Sequence, residues 1–396
     1  MGGRADAPGG MGVKVIYSIG AKFAGGGIGT TAYHAVRGLH RHGLLYRLLC
    51  GSFRPTEIPG EKIRAMGLPS RALRKLATFD ASGWVWYLQS LLFDAWASRQ
   101  LEQADLFHAW GNYGLSSLRR AKEMGMVTVV KRASSHPLYQ ARLLKEEYAR
   151  WGIAFRTPQA TLRRGVIEME EADYVLIPSD FVRRSFVEEG FPERRLLQAA
   201  FGADTTRFRP AEERGSHPLR VLFVGQIGIR KGVPYLLEAW RRLEWRDAEL
   251  WLVGRAEADF GPLLARWDGL PGVKLVGHVP DPVAMYQQAD LFAFPSIEEG
   301  SALVTYEALA CGLPVVTTPN AGSVVRDGLE GFIAPIRDVD ALAAALERLR
   351  ASEQLRQEMG RAARERAEEF TWERFGQQIA LAFQEVAGCG RAGEDG

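Results

Sequence analysis

The sequence predicts an α/β protein made of two successive units, each with a parallel sheet. Three observations predict it. Short apolar, β-branched runs alternate with helical stretches through both halves, an order that places parallel strands between helices. A glycine-rich loop follows the first such run in each half, at 25–30 and again at 225–232. A polar segment, 211–218, separates the halves and suits a domain boundary.

The elements follow in order. Val13–Ile19 reads as the first strand, and Gly25-Gly26-Gly27-Ile28-Gly29-Thr30 leads into a helix over Thr31–His40. Strands are expected at Leu44–Cys50, Leu106–Ala109, Val127–Lys131 and Tyr174–Ile177, with helices at Leu115–Glu123 and Phe181–Glu189. The aromatic segment Thr78–Trp96 suits core packing first, and an acceptor groove or lipid headgroups second. In the second half, strands are expected at Leu219–Val224, Leu250–Val253, Val273–Val276, Leu291–Phe294, Val315–Thr317 and Phe332–Ala334. Helices follow at Asp340–Arg348, Glu353–Glu369 and Trp372–Val386. From Gly388 the glycine-rich composition predicts a disordered tail, 388–396.

Composition narrows the function. A length of 396 residues allows two or three domains with real cores. Cys50, Cys311 and Cys389 have no metal-ligand spacing and make no disulfide framework, which fits a reducing, cytoplasmic setting. Met1–Gly10 has no apolar core of a signal peptide, and Met11 is a second candidate start. No apolar run has the roughly 20 residues of a membrane span. The net charge of +3 conceals a polarity: residues 1–200 balance to +10 and residues 201–396 to −7. Between Ala7 and Thr56 there are bases and no acid. A basic half suits an anionic membrane surface or a polyanionic acceptor, and equally an ordinary charged face; no nucleic-acid motif accompanies it.

The most informative stretch is Pro295–Val316. Glu299 and Glu307 stand eight positions apart, joined by Gly300-Ser301 and the start of a helix at Ser301 or Ala302. Helix N–H groups and the positive dipole end there can hold a diphosphate, and a carboxylate can take both vicinal hydroxyls of a ribose. The bland reading is a capping acid and a solvated helix glutamate. The second motif, Gly225–Val233, carries Arg230 and Lys231 to another helix start, where two cations can neutralise a leaving diphosphate.

Together these motifs resemble the retaining glycosyltransferases of family 4, the group 1 glycosyltransferases. The resemblance implies a GT-B fold, with two facing Rossmann-like domains and an interdomain cleft. It implies an acceptor-side domain over 11–205, a nucleotide-sugar donor domain over 206–370 and a helix over 371–387 that crosses back. The nucleotide sugar would then meet Gly27, Gly225, Arg230, Lys231, Gly254, Val279, Gly300, Ser301, Leu303, Val304 and Glu307. Glu299 would bind the transferred sugar, and His108 and His136 would lie on the acceptor side. For both histidines the alternative is a core residue. The chain departs from the family twice: Gln226 stands where an arginine is usual, and Trp110 where a second histidine is common. No cofactor and no essential metal are expected, only a nucleotide-sugar donor and a glycan or lipid-linked acceptor. The implied activity is retaining sugar transfer in cell-envelope polysaccharide or glycolipid synthesis, on the cytoplasmic side of a membrane. Two rival readings share the layout: a sugar-nucleotide epimerase, and a non-catalytic assembly protein. A transferred product excludes the first, and Lys231, Glu299 and Glu307 argue against the second.

Overall fold

The structure, a computed structural model, describes residues 12–77, 82–155, 157–212 and 217–392. The second candidate start at Met11, residues 213–216 of the linker and residues 393–396 lie outside the described residues.

Among the described residues, thirteen strands form two sheets of parallel strands. The first sheet uses β1 (Val15–Phe23), β2 (Leu45–Phe53), β3 (Ile63–Ala65), β4 (Leu106–Trp110), β5 (Val127–Lys131), β6 (Tyr174–Ile177) and β7 (Leu196–Gln198), in the order β3-β2-β1-β4-β5-β6-β7. The second uses β8 (Leu219–Val224), β9 (Ala248–Val253), β10 (Val273–Gly277), β11 (Leu291–Phe294), β12 (Val315–Thr317) and β13 (Gly331–Ile333), in the order β10-β9-β8-β11-β12-β13. In each sheet the order reverses beside the first strand, the switch point where ligands of open α/β sheets bind.

The helices are α1 (Ile28–Arg41), α2 (Leu68–Ala77), α3 (Trp84–Arg99), α4 (Leu115–Glu123), α5 (Pro137–Arg150), α6 (Gln159–Glu171) and α7 (Asp180–Glu188) in the first half. The second half has α8 (Val233–Leu243), α9 (Gly261–Leu264), α10 (Val283–Gln287), α11 (Leu303–Ala310), α12 (Val339–Ala351), α13 (Glu353–Glu369) and α14 (Trp372–Ala392). Central strands such as Val221–Phe223 and Leu291–Phe294 are buried, because helices cover both faces of a parallel sheet and leave no room for polar alternation.

The chain divides into two compact units. One holds residues 1–131, 167–174 and 376–396, and the other holds 132–166 and 175–375. In the first unit α14 lies close on α1: a Cβ on Gly38 would fall 2.4 Å from the Gly376 Cα, so two glycines permit the contact. The helix continues to Ala392, past Gly388 where composition predicts disorder, so that expectation is corrected up to residue 392. Phe93 of the aromatic segment is buried core, whereas Trp84 is exposed.

Candidate functional site

The candidate site lies in the second unit, where two loops at the carboxyl ends of β8 and β11 are stitched together. The Arg230 carbonyl accepts from the Ile297 N–H at 3.0 Å and the Ser296 hydroxyl at 3.2 Å. The Glu299 N–H donates to the Asn320 carbonyl at 3.0 Å. Gly300 runs so close to the 133–134 backbone that a Cβ would fall 1.6 Å from the Ala133 carbonyl oxygen, which only glycine allows. The Ser179 hydroxyl, which caps α7 by accepting from Val182 N–H, also donates to the Gly300 carbonyl.

Glu298, which the sequence reading passed over, is the hub of this construction. It is fully buried. Its Oε1 accepts from the Ser135 N–H at 3.1 Å and the Ser135 hydroxyl at 2.7 Å. Its Oε2 accepts from Gln140 at 2.9 Å and from the Arg230 Nε at 2.8 Å. Burial alone would raise its carboxyl pKa, but Arg230, Gln140 and Ser135 outweigh burial and hold it at about 2. Arg230 reaches Glu299 as well, at 3.4 Å, and Lys231 pairs directly with Glu299. Burial and the neighbouring guanidinium together hold the Lys231 ammonium pKa well below its ordinary value. Arg230, Lys231 and Glu299 therefore form one tight cluster immediately before α8, whose first-turn N–H groups add positive potential.

The second expected glutamate sits one helix further on. α11 begins at Leu303 with Ala302 at its cap position, not at Ser301. The Ser301 hydroxyl is engaged elsewhere, donating to the Gly322 carbonyl at 2.9 Å and pairing with Tyr306 OH at 2.8 Å. Ser301 thus braces the loop, and the open N–H groups at the start of α11 belong to Leu303 and Val304. Glu307 accepts from Tyr286 OH at 2.9 Å. Burial raises the Glu307 carboxyl to about 7 against the lowering effect of that bond.

Beside these loops is a pocket of about 370 Å³, lined by Ile227, Gly254, Arg255, Ala256, Leu264, Leu275, Gly277 and His278. Its walls are mostly backbone and aliphatic carbon, as a flat heterocycle needs. Gly254, Gly277 and His278 are part of this lining, and the neighbouring Val279 is not. Gly225 begins the cation-bearing loop and donates its N–H to the Val253 carbonyl at 2.9 Å.

Two expected catalytic histidines are core residues. His108 does not emerge from the sheet: it is fully buried in β4, stacked on Tyr17 at 4.1 Å with Phe383 5.6 Å away. Burial and Lys131 hold its imidazole neutral. Trp110 points into the same core, donating to Tyr17 OH at 2.8 Å. His136 is buried in the second unit at the cap of α5, edge-on to Phe186 at 4.9 Å, and burial lowers its pKa to about 4. Gly27 caps α1 in the first unit, with φ 54°.

A family model described as "Glycosyl transferases group 1" matches residues 218–352, the segment that carries both stitched loops, α11 and the pocket. Over that segment the chain is similar to this family. The chain is also similar to the amylovoran biosynthesis glycosyltransferase AmsK of Erwinia amylovora, 30% identical over 47% of this chain and 52% of the relative. The chain thus spans about half the length of that relative. Among solved structures, the fold matches sucrose-phosphate synthase from Thermosynechococcus elongatus with a TM-score of 0.69 and 18% identity, covering 95% of this chain and 100% of that one. It also matches Anabaena HepE in complex with UDP and glucose, with a TM-score of 0.68 and 18% identity over 94% and 100%. The chain therefore has two parallel-sheet Rossmann-like domains of the GT-B fold. Its other unpredicted charges include Glu147, fully buried on α5 and accepting from Tyr235 OH at 2.7 Å and from Arg337 Nε at 2.6 Å. The only sequence signal for Glu298 and Glu147 was an adjacent second glutamate, which does not say which of the two turns inward. Among the described residues no group of three or more His, Cys, Asp or Glu is placed to hold a metal ion, and no helix is long and apolar enough to cross a membrane.

Proposed function

We propose that this chain is a retaining glycosyltransferase that moves a sugar from a nucleotide-sugar donor to a glycan or lipid-linked acceptor in cell-envelope polysaccharide or glycolipid synthesis. The observation that carries this reading is the Arg230–Lys231–Glu299 cluster, which stands in one unit with the start of α11, Glu307 and the 370 Å³ pocket. The pocket takes the nucleobase, Glu307 the ribose hydroxyls, and Lys231 with Arg230 the diphosphate. Glu299 exchanges its lysine contact for the transferred sugar. The bond from the anomeric carbon to the diphosphate oxygen breaks as the bond to the acceptor oxygen forms on the same face. The acceptor proton passes to the leaving diphosphate oxygen, so the protein supplies charge and position and needs no general base. No step requires a metal. The names of relatives such as AmsK and the capsular polysaccharide biosynthesis glycosyltransferase CapM of Staphylococcus aureus support the substrate class.

The test is a thermal-shift screen of nucleotide sugars, followed by product analysis with extracted envelope lipids and glycans after exhaustive chelation. One donor should stabilise the protein and yield a product whose NMR couplings show the donor's anomeric configuration. A modified donor sugar with no transferred product would instead identify an epimerase, and an inverted product would overturn the retaining assignment.

A pH dependence follows from Glu307. Its folded pKa of about 7 lies above the ordinary 4.5, so the native state holds the extra proton between those values and loses this stabilisation as pH rises through 7. Ribose binding needs the ionised carboxylate as acceptor. Nucleoside diphosphate affinity, measured by calorimetry, should therefore strengthen from pH 6 to pH 8. Glu307→Gln should weaken binding and flatten that rise; an equally steep rise in the variant would remove Glu307 from the ribose site.

A further inference from the structure

Glu257, a carboxylate beside the Arg230–Lys231 loop, takes no part in the proposed transfer. It follows β9 and is half-buried in the second unit. Its backbone is fixed there: the N–H donates to the Ile227 carbonyl at 2.9 Å, and the carbonyl accepts from the Phe260 and Gly261 N–H groups at 3.0 Å. The Tyr148 hydroxyl of α5 donates to the Glu257 Oε2 at 3.2 Å. Gly228 makes room for the side chain, since a Cβ at that position would run into the Glu257 carboxyl group. The carboxylate thus lies against the loop itself, just ahead of Arg230 and Lys231. Burial raises its pKa, while the Tyr148 hydrogen bond, Arg230 and Lys231 act against that rise. Glu257 in turn works against the lowering of the Lys231 pKa by burial. Its charge therefore reaches both cations. Yet among the described residues it forms no ion pair with either, and Glu298 and Glu299 hold those places. It is a third acid in a site that suits an anion, and it is not neutralised by direct contact.

We propose that Glu257 is a counter-charge that weakens the hold of Arg230 and Lys231 on the nucleoside diphosphate and so speeds its release after transfer. The inference rests on the proposed function, whose diphosphate site it regulates. In the donor the terminal phosphate is esterified by the sugar. Transfer breaks that ester, and the freed oxygen receives the acceptor's proton. The proton then leaves for solvent, because a terminal phosphate has its second pKa at about 6. The product thus carries one negative charge more than the donor, and a fixed carboxylate repels it more strongly. Tyr148 holds the carboxylate off the cations, so that it repels the product without occupying the place of a phosphate.

The experiment is Glu257→Gln in the full chain, which keeps the side-chain volume and an acceptor for Tyr148 and removes the charge. Calorimetry with UDP, GDP and ADP at pH 8 should show the diphosphate that binds the parent held roughly tenfold more tightly by the variant. The matching monophosphate should gain less, and the uncharged nucleoside nothing. Stopped-flow displacement should show slower diphosphate release, while the single-turnover rate of transfer does not fall. Asp259→Asn removes an exposed charge of the same segment and should change these values by no more than about twofold, because solvent and salt screen it. Diphosphate binding by Glu257→Gln that is unchanged or weaker overturns the proposal. So does an equal gain for the uncharged nucleoside, which would mean a reshaped pocket, or an equal gain in Asp259→Asn. Tighter diphosphate binding by the variant with no sugar transferred by the parent would strike the transferase reading and leave the counter-charge standing. No binding of any nucleoside diphosphate by the parent overturns both.

Discussion

Lys231→Ala is expected to lower sugar transfer by about 10²–10³-fold, the usual cost of removing one donor that stabilises charge in the transition state. The lysine stands at the last turn before α8 and pairs with Glu299. Its removal does two things at once. The leaving diphosphate loses its nearest cation, and Glu299 keeps only the longer 3.4 Å contact with Arg230, which leaves a less compensated carboxylate facing an anionic ligand. Diphosphate affinity should fall along with turnover, because the cation meets ground state and transition state alike. Turnover should fall further, because charge grows on the leaving oxygen. The measurements are calorimetry with UDP, GDP and ADP and single-turnover kinetics with the identified donor. A folded variant with unchanged affinity and rate would remove Lys231 from the site.

Glu298→Ala should destabilise the second unit by about 3–5 kcal/mol, the range seen when one member of a buried charge pair is removed. The loss takes the fully buried carboxylate from the Ser135 N–H and hydroxyl, the Gln140 amide and Arg230, whose Nε then keeps only the residue 298 carbonyl at 3.1 Å. Glu298→Gln keeps an acceptor oxygen for Ser135 but loses the charge that holds Arg230, so it should fall between the two. The linkage has a definite sign. A folded pKa of about 2 lies below the ordinary 4.5, so this stabilisation is present above pH 4.5 and is lost as pH falls toward 2. Thermal melting as a function of pH reads both effects. The variant should melt well below the parent at pH 7 and lose less of its midpoint on acidification. A change within about 1 kcal/mol at pH 7 would show that Arg230 and Ser135 find other partners, since surface-like substitutions stay in that range.

The sequence alone determined the architecture and the address of the candidate site. Parallel strands buried on both faces must be written as continuous apolar runs, so Val127–Lys131, Tyr174–Ile177, Leu219–Val224, Leu291–Phe294 and Val315–Thr317 were legible residue for residue. The loops at Gly225 and Gly300 were legible because a φ of 151° at the first and close backbone approach at the second leave glycine as the fitting residue. What the tertiary structure decided is which polar side chains face one another. Two adjacent glutamates look alike in sequence, yet Glu298 is wholly enclosed by partners as far as 163 residues away while Glu299 meets the two cations. His108 looks like a residue at a strand end. β4 instead runs on to Trp110, and the Tyr17 ring on β1 stacks on the buried imidazole. Ser301 looks like a helix cap until Gly322 and Tyr306 arrive to take its hydroxyl. The division has one physical cause. Backbone geometry and apolar periodicity are set by neighbours a few positions away, whereas the ionisation and reach of a buried polar group depend on partners that only folding brings within hydrogen-bond distance.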